Sequence, residues 1–573
     1  MIKPSHYDDD GYVIQFYRSA MPSNSLAAIH GLAEDCRQRR VLGDDVEMCF
    51  TAIDETNTRV RVRKLIRQIR RDGGSGLVGL VGVQSNQFPR ALDLARQFRD
   101  ADIQVCIGGF HVSGCMAMLD GLTPELQDAL DTGVSLFAGE AEGRLETVLK
   151  DAWNGELSPV YNYMLDLPSL ANAPTPLLDA DVVRRTGGGQ ASFDAGRGCP
   201  YLCSFCTIIN VQGRTSRYRS ADDIEKIIRE NYEQGIRRFF ISDDNFARNQ
   251  NWELILDRII ELRGEIGDDF NLVLQVDTAC HRIPNFIEKS VRAGTKRVFI
   301  GLENINPESL KGALKGQNRI TDYRKMLQEW RTRHVVTTAG YILGFPGDTP
   351  ESIVRDIEII KRELPVDILE FFFLTPLPGS ADHKRLVEQG VEMDPDLNKY
   401  DLNHVTTAHD RMTKEEWQKA YRLAWDTFYS HDHCLTLLRR ARASGVHVGK
   451  IVGTITWFYG SVLYEGVHPI ESGFVRMKYR RDRRPGFPIE NPIVFYPRYV
   501  GNLIWKLWRL ARLYYTYHPV RRELDSMPPP AMDDDAALKP VDSAELGELQ
   551  MYQVTDAARA AADKAQRRAA GRA

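Results

Sequence analysis

A chain of 573 residues exceeds what one hydrophobic core ordinarily supports, so two or three domains are expected. Its 43% hydrophobic and 27% charged residues are those of a soluble globular protein, and a net charge of −4 carries no footprint for nucleic acid. Nine cysteines and the polar opening "MIKPSHYDDDGY" point to a reducing, cytoplasmic setting, and no apolar run approaches the length of a membrane span.

From Tyr12 to about Asn154 short apolar strands alternate with amphipathic helical stretches: "YVIQFY", Leu26 to Arg39, "VEMCF", Val60 to Ile69, "GLVGLVGV", Ala91 to Arg99, "IQVCIGG", "GVSLFAGE" and Leu145 to Ala152. This rhythm predicts βαβ units and a Rossmann-like domain of five strands over 1–160. Its polar punctuation, "QSNQFPR", "GGFHVSG" and "GEAEG", falls at strand C-termini, where doubly wound sheets bind ligands. "LPSLANAPTPLLDADVV" reads as a linker over 161–185.

A second series follows over 186–395: "ASFDAG", "RRFFISDD", "NLVLQVDTA", "RVFIGLEN", "TTAGYILGFPG" and "DILEFFFLTPLPG". Six strand-and-helix units suggest an open, partial (β/α)6 barrel. Residues 396–525 turn helical, with Trp417, Tyr421, Leu423, Trp425 and Phe428 giving one apolar side, and 526–573 reads as a disordered tail.

Three cysteines crowd into "RGCPYLCSFCTI", just after the first strand of the second series. A disulfide framework fits neither the compartment nor the odd count. For structural zinc a fourth ligand is missing at finger or ribbon spacing, His281 and Cys280 being the candidates to approach in space. Closely spaced thiolates suit an iron–sulfur cluster, and three of them leave one iron open to bind a substrate or cofactor.

"CPYLCSFC", with Cys199, Cys203, Cys206 and the aromatic Phe205, resembles the CxxxCxxC signature of the radical S-adenosylmethionine (SAM) superfamily. The resemblance spans about Ala191 to Ser380. It implies that the three cysteines hold a [4Fe–4S] cluster whose fourth iron is chelated by SAM, and that reductive cleavage yields a 5′-deoxyadenosyl radical. It further implies SAM contacts from Asp243 and Asp244 in "FFISDDNF", from Asp277 in "LQVDTAC", from Glu303 at the ribose and from Gly344 in "GYILGFPGDT" beside adenine. Cys280 reads as a buried small hydrophobe. A reducing donor such as flavodoxin or ferredoxin is implied as a partner.

The first domain, with "VGVQSNQFPRALDLARQFRDADIQVCIGGFHVSG", resembles the cobalamin-binding domain of cobalamin-dependent radical SAM enzymes. That implies cobalamin beside Gln84, Ser85, Asn86, Gly108, Gly109 and His111, the two glycines letting a large ligand approach the backbone. The DxHxxG signature that presents a histidine to cobalt is absent, so His111 reads as a turn or pocket residue, and a non-histidine side chain or water is expected below cobalt. The whole then reads as a cobalamin-dependent methyltransferase acting on an unactivated carbon of a small molecule. A radical SAM cyclase, rearrangement or dehydrogenation enzyme without cobalamin, and a non-catalytic iron–sulfur protein, are the rivals. "FYPRYVGNLIWKLWRLARLYYTYH", mixing aromatics with basic residues, adds the expectation of a peripheral membrane contact.

Overall fold

The alternating runs form two parallel six-stranded sheets whose C-terminal edges face one another. The computed structural model describes residues 1–71, 73, 75–313 and 320–539.

The first sheet comprises β1 (Ile2–Lys3), β2 (Ile53–Asp54), β3 (Leu77–Leu80), β4 (Gln104–Gly108), β5 (Ser135–Ala138) and β6 (Val160–Asn162), in the order 2-1-3-4-5-6 and all parallel. It is doubly wound with a switch point between β1 and β3, the crevice where such sheets hold ligands. Six strands replace the five expected. Two predicted strands are absent from it: Gln15–Ser19 pairs instead with Gly473–Met477 as an antiparallel ribbon, and "VEMCF" is irregular. Val46, Met48 and Phe50 line a cavity, so that run is apolar to wall a space rather than to fill a sheet.

The second sheet is β7 (Gln190–Phe193), β8 (Arg238–Ile241), β9 (Asn271–Asp277), β10 (Thr295–Glu303), β11 (Val336–Leu343) and β12 (Ile368–Phe373). Each strand pairs in parallel with the next, and β7 does not pair with β12, so the barrel is open as the repeat count suggested. The helices between follow from local chemistry. Ala221–Glu233 starts on a reciprocal cap between Ser220 and Asp223, buries Ile224, Ile227 and Ile228 at i, i+3, i+4, and stops before Gly235 at φ 84°. Such a cap stabilises its helix by about 1 kcal/mol.

The C-terminal region covers β12. Helix Lys414–Phe428 lays Trp417, Tyr421, Trp425 and Phe428 on the strand, with Tyr421 stacked 4.3 Å from Phe373 and Trp425 5.3 Å from Phe371. Leu423 is off this face, 41% exposed. Of the segment read as a tail, the described part docks: Asp535 accepts from Arg440 at 2.6 and 2.8 Å, and Ala537 is fully buried. Residues 540–573 lie outside the described residues.

The two sheet domains touch backbone to backbone. A Cβ on Gly114, in the helix Phe110–Met118 after β4, would stand 2.4 Å from the Pro378 carbonyl oxygen beyond β12. A Cβ on Gly379 would stand 2.8 Å from the Gly114 Cα.

Candidate active site at the facing strand ends

The cysteine loop, residues 198–207, leaves the end of β7 and is pinned at every step. Cys199 N–H donates to the Gly213 carbonyl at 3.2 Å, Cys206 N–H to that of Cys203 at 3.2 Å, and Ser204 N–H to that of Ala313 at 3.2 Å. The Ser204 hydroxyl donates to Asp382 at 3.0 Å, beyond β12, and the Tyr201 hydroxyl to Asp277 at 2.9 Å, at the end of β9. Phe205 sets its ring 6.4 Å from that of Phe345, past β11. The loop therefore spans the mouth of the barrel and takes its shape from three strands other than its own.

Cys199 and Cys203 are buried and Cys206 is half-buried. Burial, with Asp244 and Cys203 nearby, pushes the Cys206 thiol up to about 12. Three thiolates on one short loop suit a cubane, in which each holds a different iron. Cys280 is fully buried in the barrel core, and His281 Nδ1 lies 3.2 Å from the Thr278 carbonyl oxygen.

The carboxylates divide into positioning groups and one that faces the cavity. Asp243 accepts from the Ala195 and Gly196 N–H groups at 2.7 and 2.9 Å and from Asn249 at 3.0 Å, holding the turn before the cysteine loop; burial raises its pKa to about 7. Asp277 accepts from Tyr201, Asn245, Ala279 N–H and Arg248, the last at 2.6 and 3.0 Å. Burial opposes its charge, yet the Arg248 guanidinium outweighs this and holds the carboxyl below the usual range. Asp244 points into the cavity instead, and desolvation among protein groups pushes it up to about 7. Glu303 ends β10 at a register shift with φ 65°, a left-handed backbone. Gly344 has φ 100°; its N–H donates to Asp348 at 2.9 Å, and a Cβ there would meet Trp417 at 1.9 Å. The turn and Trp417 by themselves require a glycine here.

A cavity of about 1070 Å³ joins the two domains. From the first come Gly82, Gln84, Gly108, Gly109, Ser113 and Gly139; from the second come Gly196, Thr207, Ile208, Ser242 and Asp244. A further lobe runs along the first sheet past Ile2, Val78, Leu80 and Cys106. The volume lies at or beyond the upper end for ordinary small-ligand clefts and suits a large cofactor with an apolar slot for part of it.

Of the residues expected at cobalamin, Gln84, Gly108 and Gly109 line this cavity. Ser85, Asn86 and His111 are buried behind it: His111 Nδ1 lies 3.1 Å from the Ser85 hydroxyl and Nε2 3.3 Å from Glu125, while Asn86 donates to Glu471 at 2.6 Å. His111 packs among Ser85, Glu125 and Phe88. The glycines answer first to the fold, since a Cβ on Gly109 would meet the Val83 N at 2.1 Å.

Sequence reasoning missed the clamp between the domains. Arg197, two residues before Cys199, reaches Glu140 at 2.7 Å, Glu142 at 2.6 Å and Asp194 at 3.1 Å. Arg217 also pairs with Glu140, and Arg219 with Asp194 at 3.5 Å. The signal was on the page, two acids in "FAGEAEG" and arginines around the cysteines, but only the fold shows that they meet.

Residues 195–360 match the Radical SAM superfamily. Among curated proteins the chain is 26% identical over 368 residues to the bacteriochlorophyllide d C-8(2)-methyltransferase of Chlorobaculum tepidum, covering 60% of this chain and 75% of that one. It is 25% identical over 307 residues to the hopanoid C-2 methylase of Rhodopseudomonas palustris, covering 52% and 55%. Among solved structures it resembles the radical SAM methyltransferase TsrM of Kitasatospora setae, solved with cobalamin and a [4Fe–4S] cluster, at a TM-score of 0.55 and 16% identity over 73% of this chain and 88% of that one. Residues 195–360, with Cys199, Cys203 and Cys206 among them, are thus a radical SAM domain by their match. The fold as a whole is that of the TsrM structure, with a parallel-sheet domain ahead of an open barrel.

Proposed function

We propose that the enzyme binds cobalamin between its domains and transfers a methyl group to an unactivated carbon of a small molecule. The observation that carries this reading is the single cavity walled by the strand ends of both sheets, with Gln84 and Gly108 on one side and Thr207 and Asp244 on the other. When bound, the cluster with SAM supplies a radical that removes hydrogen from carbon, and methylcobalamin supplies the methyl group. Both named relatives are methylating enzymes that act at a carbon position.

The chain's own residues have definite parts in this. Cys199, Cys203 and Cys206 hold three irons. Asp244, exposed on the cavity wall, would offer its carboxylate to the ammonium of SAM. Gln84, exposed on the cavity wall, would be among the residues that hold cobalamin. The clamp around Arg197 fixes the two halves of the cavity in register. Glu303 contributes at the ribose end, and a flavodoxin- or ferredoxin-type donor supplies the electron. The contact with a membrane expected from the segment Phe495 to His518 completes this reading.

The test is anaerobic reconstitution with cobalamin, followed by SAM carrying a labelled methyl group, a reductant and a cell extract. Stoichiometric cobalt, 5′-deoxyadenosine and label in one extracted product are expected. Substoichiometric cobalt with 5′-deoxyadenosine still formed would replace methyl transfer by a cobalamin-free radical reaction. Retention of the iron centre when all three cysteines are replaced by alanine would remove the cluster assignment itself.

A further inference from the structure

The helix Pro492–Ser526 has 35 residues and is anchored along one side only. Phe495 and Tyr517 are buried, and Leu513 and Tyr514 pack against the main core. On the other side Ile493, Val500, Ile504, Leu507, Trp508 and Tyr515 are exposed, by 80, 48, 62, 43, 55 and 65%. At about 100° per residue these six fall within one stripe about 100° wide, running about 33 Å along the axis. Phe487 and Ile489, just before the helix, are exposed as well. Isolated exposed hydrophobes need no explanation, but a continuous stripe of this size does.

Charge identifies what covers it. Residues 492–522 carry six Lys and Arg and no Asp or Glu. Arg498 and Lys506 reach Glu490 and Glu465 outside the segment, while Arg509 lies over the Trp505 and Tyr464 rings and Arg512 over Trp508. Tryptophan and tyrosine next to arginine suit the headgroup level of a bilayer. A second copy packed through the same face would bring the Arg509 and Arg512 side chains of both copies together. No helix among the described residues is long and apolar enough to cross a membrane.

We propose that this face of the helix lies on the surface of an anionic bilayer, apolar side chains in the acyl boundary and arginines among the lipid headgroups. The inference is independent of the chemistry proposed for the cavity, and the test reads adsorption alone, in the wild type and in the triple cysteine-to-alanine chain alike. Reconstituted full-length protein is floated with vesicles of phosphatidylcholine, with or without phosphatidylglycerol. It should float with the anionic vesicles and be released by high salt. The double variant Ile504→Asp, Trp508→Asp, altered only on the exposed face, should remain at the bottom while keeping its iron content and circular dichroism. Arg512→Gln should weaken partitioning by about fivefold. Failure to float, equal flotation with neutral vesicles, unchanged flotation of the double variant, or a dimer seen by light scattering that the double variant abolishes would each overturn the proposal.

Discussion

Arg197 and Glu142 form a two-pronged ion pair across the domain boundary, with N–O distances of 2.6 and 3.0 Å and both side chains nearly inaccessible to solvent. The pair couples the cysteine loop to the strand ends of the other sheet. Removing Arg197 would leave Glu140, Glu142 and Asp194 buried with less compensation, which costs about 3–5 kcal/mol. Arg197→Ala is expected to lower the thermal midpoint and expose the linker between the domains to protease. Glu142→Gln, which keeps one hydrogen-bonding oxygen, should lose less on both measures.

The Tyr201–Asp277–Arg248 set anchors the cysteine loop to the barrel. Tyr201→Phe removes one hydrogen bond and should cost about 1 kcal/mol; Asp277→Asn strips Arg248 of its counter-charge and should cost about 1–3 kcal/mol. Denaturant unfolding gives the ranking. Iron content after reconstitution should fall in the same order, because Tyr201 lies between Cys199 and Cys203, the ligands proposed for the cluster.

His404 predicts a pH dependence. Burial alone would lower its pKa, but hydrogen bonds to Asp401 at 2.9 Å and Asp9 at 3.1 Å outweigh this and raise it to about 10. Because the folded value exceeds the unfolded one of about 6.5, the protonated form stabilises the fold. The stabilisation is complete below about pH 6.5 and is lost as pH rises through 10. Asp9 is largely exposed and screened, so the effect is on the order of 1–3 kcal/mol. Unfolding of wild type and His404→Gln at several pH values checks it: the wild-type advantage should shrink steadily toward pH 10.

Gly344→Ala should destabilise the chain by several kcal/mol without removing any cofactor contact, since the added methyl meets the Trp417 ring and the backbone has φ 100°. Trp417→Leu in the same chain should recover part of the loss, measured by thermal unfolding. A loss of SAM binding with stability unchanged would instead restore Gly344 to the adenine site.

The barrel was legible because each of its strands is an apolar run between turn signals, and the cysteine triad because its spacing is rare and chemically specific. The first sheet was harder to read. Ile2–Lys3 is too short to register as a strand, while "YVIQFY" and "VEMCF" are apolar for reasons other than that sheet. Asp243 and Asp244 are adjacent in sequence and alike in type, yet one holds a backbone turn and the other faces the cavity, a distinction set by the turn that follows β8. The same limit hid the clamp, since Glu140 and Arg197 are 57 residues apart and meet only through two folded sheets.

The contact of Gly114 with Pro378 and Gly379 bears on the width of the cavity beside it. With no side chain between them, the two main chains already stand at closest approach. A methyl group inserted at Gly114 would push the facing edges apart and widen the space the two sheets enclose.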